Sequence, residues 1–244
     1  MKNIENILIN CERELREINE ELKSSPEGHL GIKRSYYYQV IKRKPIGITK
    51  DTTLIRKLCR KKYLLARKAQ LENNISKSLS EFDFRTPKEL IASFSKAYQS
   101  VPEDYFHHPS IVAWQAKTFE KNTIDSEGAK YISTNGTELR TMSEWKIAEQ
   151  LESYGLPYHY DTIIYLNGRK KSPDFIIKNP FTNKTFIWEY FGAFDQKGYS
   201  DYMNNKMDLY MKAGFIPSEN LIVTYQYHLR DTRRIQNLIE DIIL

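Results

Sequence analysis

Long apolar runs are missing from this chain of 244 residues. No stretch approaches the roughly 18 hydrophobic residues of a membrane span, and the opening Met-Lys-Asn-Ile-Glu-Asn has neither the apolar segment nor the small-residue cleavage site of a secretory signal. A cytoplasmic protein is therefore expected. Cysteine is nearly absent: Cys11 and Cys59 fall within helical patterns, too few for a disulfide framework or a metal knuckle, and read as core thiols. The histidines His29, His107, His108, His159 and His228 are scattered without the spacing of a zinc site. Acid is what residues 29 to 70 lack, where Asp51 alone stands against 13 lysines and arginines.

What is present suits a folded protein, with 40% hydrophobic and 28% charged residues. The length allows one sizeable core and a smaller module. Charge is unevenly divided: residues 1–80 hold 18 Lys and Arg against 9 Asp and Glu, while the rest holds 19 against 22. A local cationic excess of this kind is the electrostatic footprint of a polyanion partner.

Ile4, Leu8, Cys11, Leu15, Ile18 and Leu22 recur at alternating spacings of four and three, a heptad seam that predicts a helix over residues 3–23. That seam can fold back on a second amphipathic helix expected over residues 53–79, or join two copies of the chain in a homodimer. Between them, Ser24-Ser25-Pro26-Glu27-Gly28 ends the first helix and residues 36–41 read as an aromatic strand. A basic turn, Lys42-Arg43-Lys44-Pro45, then leads to a partner strand at residues 46–49, and Asp51 or Thr52 can cap the following helix. This strand-turn-strand-helix pattern resembles the small basic DNA-binding arms of integrases. It nominates Lys33, Arg34, Tyr37, Lys42, Arg43, Lys44, Arg56, Arg60 and Lys61 as nucleic-acid contacts, with Arg140 added from the second half. Residues 1–82 are thus expected to form a nucleic-acid-binding module. Residues 83–130 read as a helical connector, including a helix over 87–99 opened by the capping box Thr86-Pro87-Lys88-Glu89, and residues 131–244 read as a second domain.

From Thr141 onward the elements alternate as helix, three strands, helix, strand and helix, an α/β order. Thr141-Met142-Ser143-Glu144 is a capping box. Residues 158–166 and 172–177 read as a hairpin around the type I′ turn Asn167-Gly168, and residues 185–192 as a strand buried on both faces. A helix over 199–213, a strand over 221–225 and a helix over 231–243 follow. Glu189 is the only charge in the aromatic strand. A carboxylate buried there is costly unless it is paired or bound to metal. Asp174, directly after Pro173, stands on the neighbouring strand, and two such carboxylates offer the hard oxygen donors that Mg²⁺ prefers.

Ser172-Pro173-Asp174, then Glu189-Tyr190-Phe191, with Glu144 on the preceding helix, resembles the PD-(D/E)XK nuclease superfamily in motif and element order. More narrowly, Thr134-Asn135-Gly136-Thr137-Glu138-Leu139-Arg140, Ser143-Glu144 and Trp188-Glu189-Tyr190-Phe191-Gly192 resemble an uncharacterised bacterial group with a basic N-terminal module, predicted to be such nucleases. The resemblance implies a restriction endonuclease-like core of mixed sheet flanked by helices. It also implies an endonuclease dependent on Mg²⁺ or Mn²⁺, acting on DNA, with RNA left open. Asp174 and Glu189 would ligate the metal, and Glu144 would complete or orient the site. One departure stands out: the lysine expected two residues after Glu189 is Phe191. In some branches that lysine has moved to the next helix, which makes Lys206 the replacement candidate, ahead of Lys170 and Lys171. Asp161 and His159 share a strand face by parity and are further candidates. The missing lysine also admits a catalytically degenerate scaffold that only binds or regulates DNA. Richness in Lys, Asn, Ile and Tyr fits an AT-rich bacterial or mobile-element genome, leaving restriction, phage defence and element mobility open as roles.

Overall fold

The heptad seam of the first helix finds its partner within the chain. In the computed structural model, which describes residues 4–122, 131–192 and 199–243, the protein divides into two compact units, Met1–His108 and Pro109–Leu244. The first unit opens with α1 (Ile4–Leu22), β1 (His29–Lys33), β2 (Tyr36–Ile41), β3 (Lys44–Gly47) and α2 (Thr52–Ile75). Helix α1 packs along α2. Ile18 of the seam is buried, and two acids of α1 hold two arginines of α2, Glu21 to Arg60 at 2.8 Å and Glu14 to Arg67 at 2.7 Å. The Asp51 side chain caps α2 by accepting from the Leu54 amide at 2.9 Å. Short helices α3 (Pro87–Ala92) and α4 (Lys96–Gln99) complete the unit against α2 and β1, and the expected single helix over 87–99 is broken between them. The division between the units falls after His108, so residues 83–108 belong with the basic module.

β1, β2 and β3 form an antiparallel sheet in that order. β1 had no clear sequence signature, because Gly31 interrupts a five-residue strand. The partner strand expected at 46–49 instead occupies Lys44–Gly47, and Pro45 is tolerated there because β3 is an edge. Both turns are two-residue type I′ connections with left-handed backbone at Arg34 (φ 50°) and Ser35 (φ 67°), and at Lys42 (φ 47°) and Arg43 (φ 67°). Such backbone costs a side chain about 1 kcal/mol or more per residue. The approach to the sheet also needs a glycine: Gly28 has φ +78°, and a Cβ there would lie 2.3 Å from the Val40 carbonyl oxygen.

The second unit begins with α5 (Ser110–Gln115), the small hairpin β4 (Tyr131–Ile132) and β5 (Glu138–Leu139), and α6 (Met142–Ser153). It continues with β6 (Tyr158–Tyr160), β7 (Ile164–Leu166), β8 (Arg169–Lys171), β9 (Phe175–Lys178), β10 (Thr185–Phe191), α7 (Tyr199–Lys212), β11 (Leu221–Tyr225) and α8 (Thr232–Leu238), which runs into a π-helical turn at Ile239–Ile243. The fold of this unit is α/β. Its main sheet has the order β11-β10-β9-β6, with β10 and β11 parallel and the other pairs antiparallel.

The long hairpin expected over 158–177 is corrected into two parts. Left-handed backbone at Asp161 (φ 48°) breaks the first strand, and the Ser172-Pro173 step breaks the second. The inner segments β6 and β9 stay paired in the main sheet. Residues between them form a separate hairpin, β7-β8, around Asn167 (φ 48°) and Gly168 (φ 76°).

Side-chain alternation sorts the sheet into two faces. Phe175, Ile177, Phe186, Trp188 and Ile222 pack with α6 and α8, whereas Ile187 and Leu221 pack with Leu209 and Tyr210 of α7. By the same alternation Glu189 and Asp174 lie on the α7 face. The antiparallel register pairs Phe175 with Trp188, and one further step sets Asp174 opposite Glu189.

Candidate functional site

Glu189 is 1% exposed in the middle of the sheet, and both its oxygens are engaged from α7. Lys206 Nζ donates to Oε2 at 2.7 Å and the Tyr210 hydroxyl donates to Oε1. Positions 206 and 210 stand four apart, so one helix face delivers both groups. Lys206, the replacement candidate from the sequence, is 7% exposed, and its ammonium also donates to the Ser172 carbonyl at 3.4 Å. Phe191, one side-chain repeat beyond Glu189, is buried with its ring 6.4 Å from that of Tyr225.

Asp174 sits immediately before β9, where it still meets solvent in part. Its Oδ2 accepts from the Tyr190 amide at 2.6 Å, which ties the carboxylate to β10. Burial pushes the Asp174 carboxyl well above the usual carboxylate range, and the Glu189 charge pushes in the same direction. Burial also raises Glu189, against the pull of Lys206 and Tyr210. For Lys206 burial acts downward, yet Glu189 and Asp174 together hold it above the ordinary lysine value. Asp174 is thus raised by burial and by the neighbouring Glu189 charge, while Lys206, bonded to Glu189, is kept protonated by both carboxylates.

Glu144 is buried at the start of α6, on the other face of the sheet. Its Oε2 accepts from the Thr141 amide at 2.8 Å and from the Thr141 hydroxyl at 2.9 Å, the bonds of the capping box. Oε1 lies 4.0 Å from Arg140 Nη2. Among the charges acting on Asp174, Glu144 has the smallest effect.

Arg140 is drawn inward. Its Nε donates to the Tyr160 hydroxyl at 3.2 Å and its Nη2 pairs with Asp161 Oδ2 at 3.2 Å. Asp161 in turn accepts from the Ser172 hydroxyl at 2.6 Å, and its amide donates to the Asp174 carbonyl at 3.0 Å. The network Arg140–Asp161–Ser172 therefore braces the turn that carries Asp174. Of the two residues linked by parity, Asp161 reaches the site and His159 does not: the His159 ring bonds the Trp114 carbonyl at 3.0 Å and packs against Trp114 and Phe119. Lys170 pairs with Glu120 at 2.8 Å on the surface. Tyr210 carried a readable signal, its spacing from Lys206. Asp161 was named by strand parity alone, and its left-handed backbone, set by the tertiary structure, gave no signal of its own. Among the described residues no three His, Cys, Asp or Glu side chains form a group that could hold a metal ion.

The nucleic-acid candidates of the first unit divide sharply. Arg56 bonds Asp104 at 2.6 Å and covers the Tyr105 ring at 4.1 Å, Arg60 bonds Glu21 and the Phe106 carbonyl, and Lys61 bonds the Pro26 carbonyl at 2.7 Å. The Tyr37 hydroxyl donates to the Ser100 carbonyl at 2.9 Å. Those four are engaged by their own unit. Lys33, Arg34, Lys42, Arg43 and Lys44 stand exposed in and beside the two type I′ turns.

No helix among the described residues is long and apolar enough to cross a membrane. Compared with known protein families, curated proteins and solved structures, the chain matches none.

Proposed function

We propose that the protein is a metal-dependent endonuclease of the PD-(D/E)XK type, hydrolysing phosphodiester bonds in DNA. Asp174 and Glu189 would be its metal ligands, and Lys206 would stand in for the residue missing at Phe191. The observation that carries this reading is the pairing of Lys206 with Glu189 at 2.7 Å, delivered from α7 to the strand where the motif lacks its lysine. The α/β order of the second unit and its four-stranded mixed sheet are compatible with a restriction endonuclease-like core.

The donor set fits a hard divalent cation, since Mg²⁺ is commonly held by one or two carboxylates, with water and substrate phosphate completing its shell. Each carboxylate oxygen carries two lone pairs, so Glu189 can keep Lys206 and Tyr210 while offering an oxygen to metal. Glu144 would orient the site, not add a third ligand: its Oε1 lies 4.0 Å from Arg140, which pairs with Asp161 and through it with Ser172. A divalent ion bound there would polarise the phosphoryl group and acidify the attacking water.

The chain's own residues do the rest. Lys206 keeps its proton, so it serves as a donor to a phosphate oxygen on which negative charge develops, not as a base. Tyr210 fixes Glu189, and the Asp161–Ser172–Arg140 network fixes the turn bearing Asp174. Incubation of supercoiled plasmid with Mg²⁺ or Mn²⁺ tests this reading. Nicked or linear product that disappears in Asp174→Ala and Glu189→Ala would support it, and intact plasmid, or cleavage indifferent to both substitutions, would refute it.

A second reading rests on Phe191: a degenerate scaffold that binds or regulates DNA without cutting it. Such a protein would bind DNA yet take up no Mn²⁺ through Asp174 and Glu189 in calorimetry.

A further inference from the structure

Three cations of the first unit are held where the backbone resists them. Arg34, Lys42 and Arg43 all have positive φ, in turns whose ordinary occupants are Asn and Gly. The same chain uses that ordinary pair, Asn167-Gly168, for its other type I′ turn. Strained backbone that persists at a surface turn is a pointer to function.

The sheet between the turns is also unusual on one face. Register and alternation place Leu30, Ile32, Tyr37 and Gln39 on the inner face, where Leu30 is buried, its amide bonded to Tyr98, and Tyr37 bonds Ser100. The outer face carries Lys33, Tyr36 and Tyr38, with Gly31 and Gly47 flanking Tyr38 in register. Tyr36 is 61% exposed. Gly47 has no need of its missing side chain, because a Cβ there would meet nothing within 4 Å. A strand glycine in open space leaves room for another backbone to come close.

From these observations we propose that the outer face of the β1–β3 sheet is a docking site for duplex DNA, with the two turn tips holding phosphates on either side of one groove. The proposal rests on the nucleic-acid reading above and assigns the contact to the sheet instead of to α2. Charge complementarity carries it: Lys33, Arg34, Lys42 and Arg43 are exposed, whereas Arg56, Arg60, Lys61 and Arg67 are engaged by acids and carbonyls of their own unit. The spacing agrees. Strand β2 has 6 residues, so its two end residues stand about 17 Å apart, five steps of roughly 3.3 Å. That reach suits phosphate rows bordering a major groove about 12 Å wide, with Tyr36 and Tyr38 facing the groove.

The test is fluorescence anisotropy of the full chain with a labelled duplex in EDTA, so that cleavage plays no part. Replacing Arg34-Ser35 and Lys42-Arg43 each by Asn-Gly removes three cations while giving both turns their preferred residues, so the sheet should fold as well or better. The expected result is a drop in affinity of about tenfold or more and a fall of about 2.7 in the salt slope, near 0.9 for each phosphate that is no longer neutralised. A control with Lys57→Ala on α2 should change little. Unchanged affinity in the turn variant, or a larger drop from Lys57→Ala, would overturn the proposal while leaving DNA binding in place. Wild-type chain that binds only single-stranded RNA, or no nucleic acid, would overturn both the proposal and the partner reading beneath it. Absence of cleavage with intact duplex binding would refute the nuclease reading alone.

Discussion

Replacing Lys206 by Met isolates the electrostatics of the site. The substitution keeps most of the side-chain volume but leaves Glu189, 1% exposed, without the ammonium that now lies 2.7 Å away. Removing one partner of a buried pair costs about 3–5 kcal/mol, because the remaining charge stays desolvated. In a unit of this size each kcal/mol moves Tm by about 3–5 °C, so a fall on the order of 10 °C is expected in calorimetry. The pH dependence has a definite sign. A buried carboxyl whose folded pKa lies above its unfolded value stabilises the fold at low pH and loses that contribution as pH rises through the folded pKa. Burial already raises Glu189 with Lys206 present, and removing Lys206 raises it further, so Lys206→Met should lose more stability at pH 8 than at pH 5. Adding Glu189→Gln should restore much of the loss. A variant with unchanged Tm at pH 8, or a double substitution no better than the single one, would refute the account of the pair.

Four further outcomes are expected. His107 is held down to about 4 from 6.5, chiefly by burial, which prevails over the upward pull of Asp104 and is helped by the Arg60 and Arg56 charges, so the unfolded chain takes up a proton that the folded one refuses. Stability is full above pH 6.5 and should fall by up to about 3 kcal/mol toward pH 4, and His107→Gln should remove that increment from the pH-stability curve. Thr141→Ala deletes the cap that holds Glu144 and should cost about 1 kcal/mol in urea titration, with Thr141→Ser largely restoring it. Arg60→Met should destabilise the first unit by several kcal/mol in urea titration, because Glu21 loses its partner at 2.8 Å, while duplex affinity in anisotropy stays near wild type. Asn-Gly at positions 42 and 43 should raise the Tm of the first unit, by relieving about 1–2 kcal/mol of left-handed strain.

Much of the site was legible from residue type and period. A single carboxylate in the run Phe186 to Phe191 needed a partner, and an Asn-Gly pair announced a type I′ turn. The two Thr-x-x-Glu boxes marked helix starts, which the structure confirms at Thr86 and Thr141. Lys206 could be named as a candidate because Phe191 left a place unfilled, although only the tertiary fold shows that α7 turns it inward. Other features were hidden for physical reasons. Counting charge along a window saw Arg56, Arg60, Lys61 and Arg67 as one basic helix, because the acids Glu14, Glu21 and Asp104 that engage the three arginines lie far away in sequence. The break at Asp161 was invisible because aspartate in left-handed backbone is stabilised by Arg140 and Ser172, neither adjacent in the chain. Strand β1 was hidden because a glycine-containing pentapeptide gains its pairing from β2 and not from its own propensity.

Asp174 and Glu189 are proposed to hold a catalytic divalent cation, and direct titration of Mn²⁺ tests this without relying on turnover. Electron paramagnetic resonance of free Mn²⁺ should show uptake by the wild-type chain at about pH 7.5, strengthened by an uncleavable duplex and abolished in both Asp174→Asn and Glu189→Gln. Absence of uptake by the wild type with duplex present, or uptake unaltered by both substitutions, would contradict it.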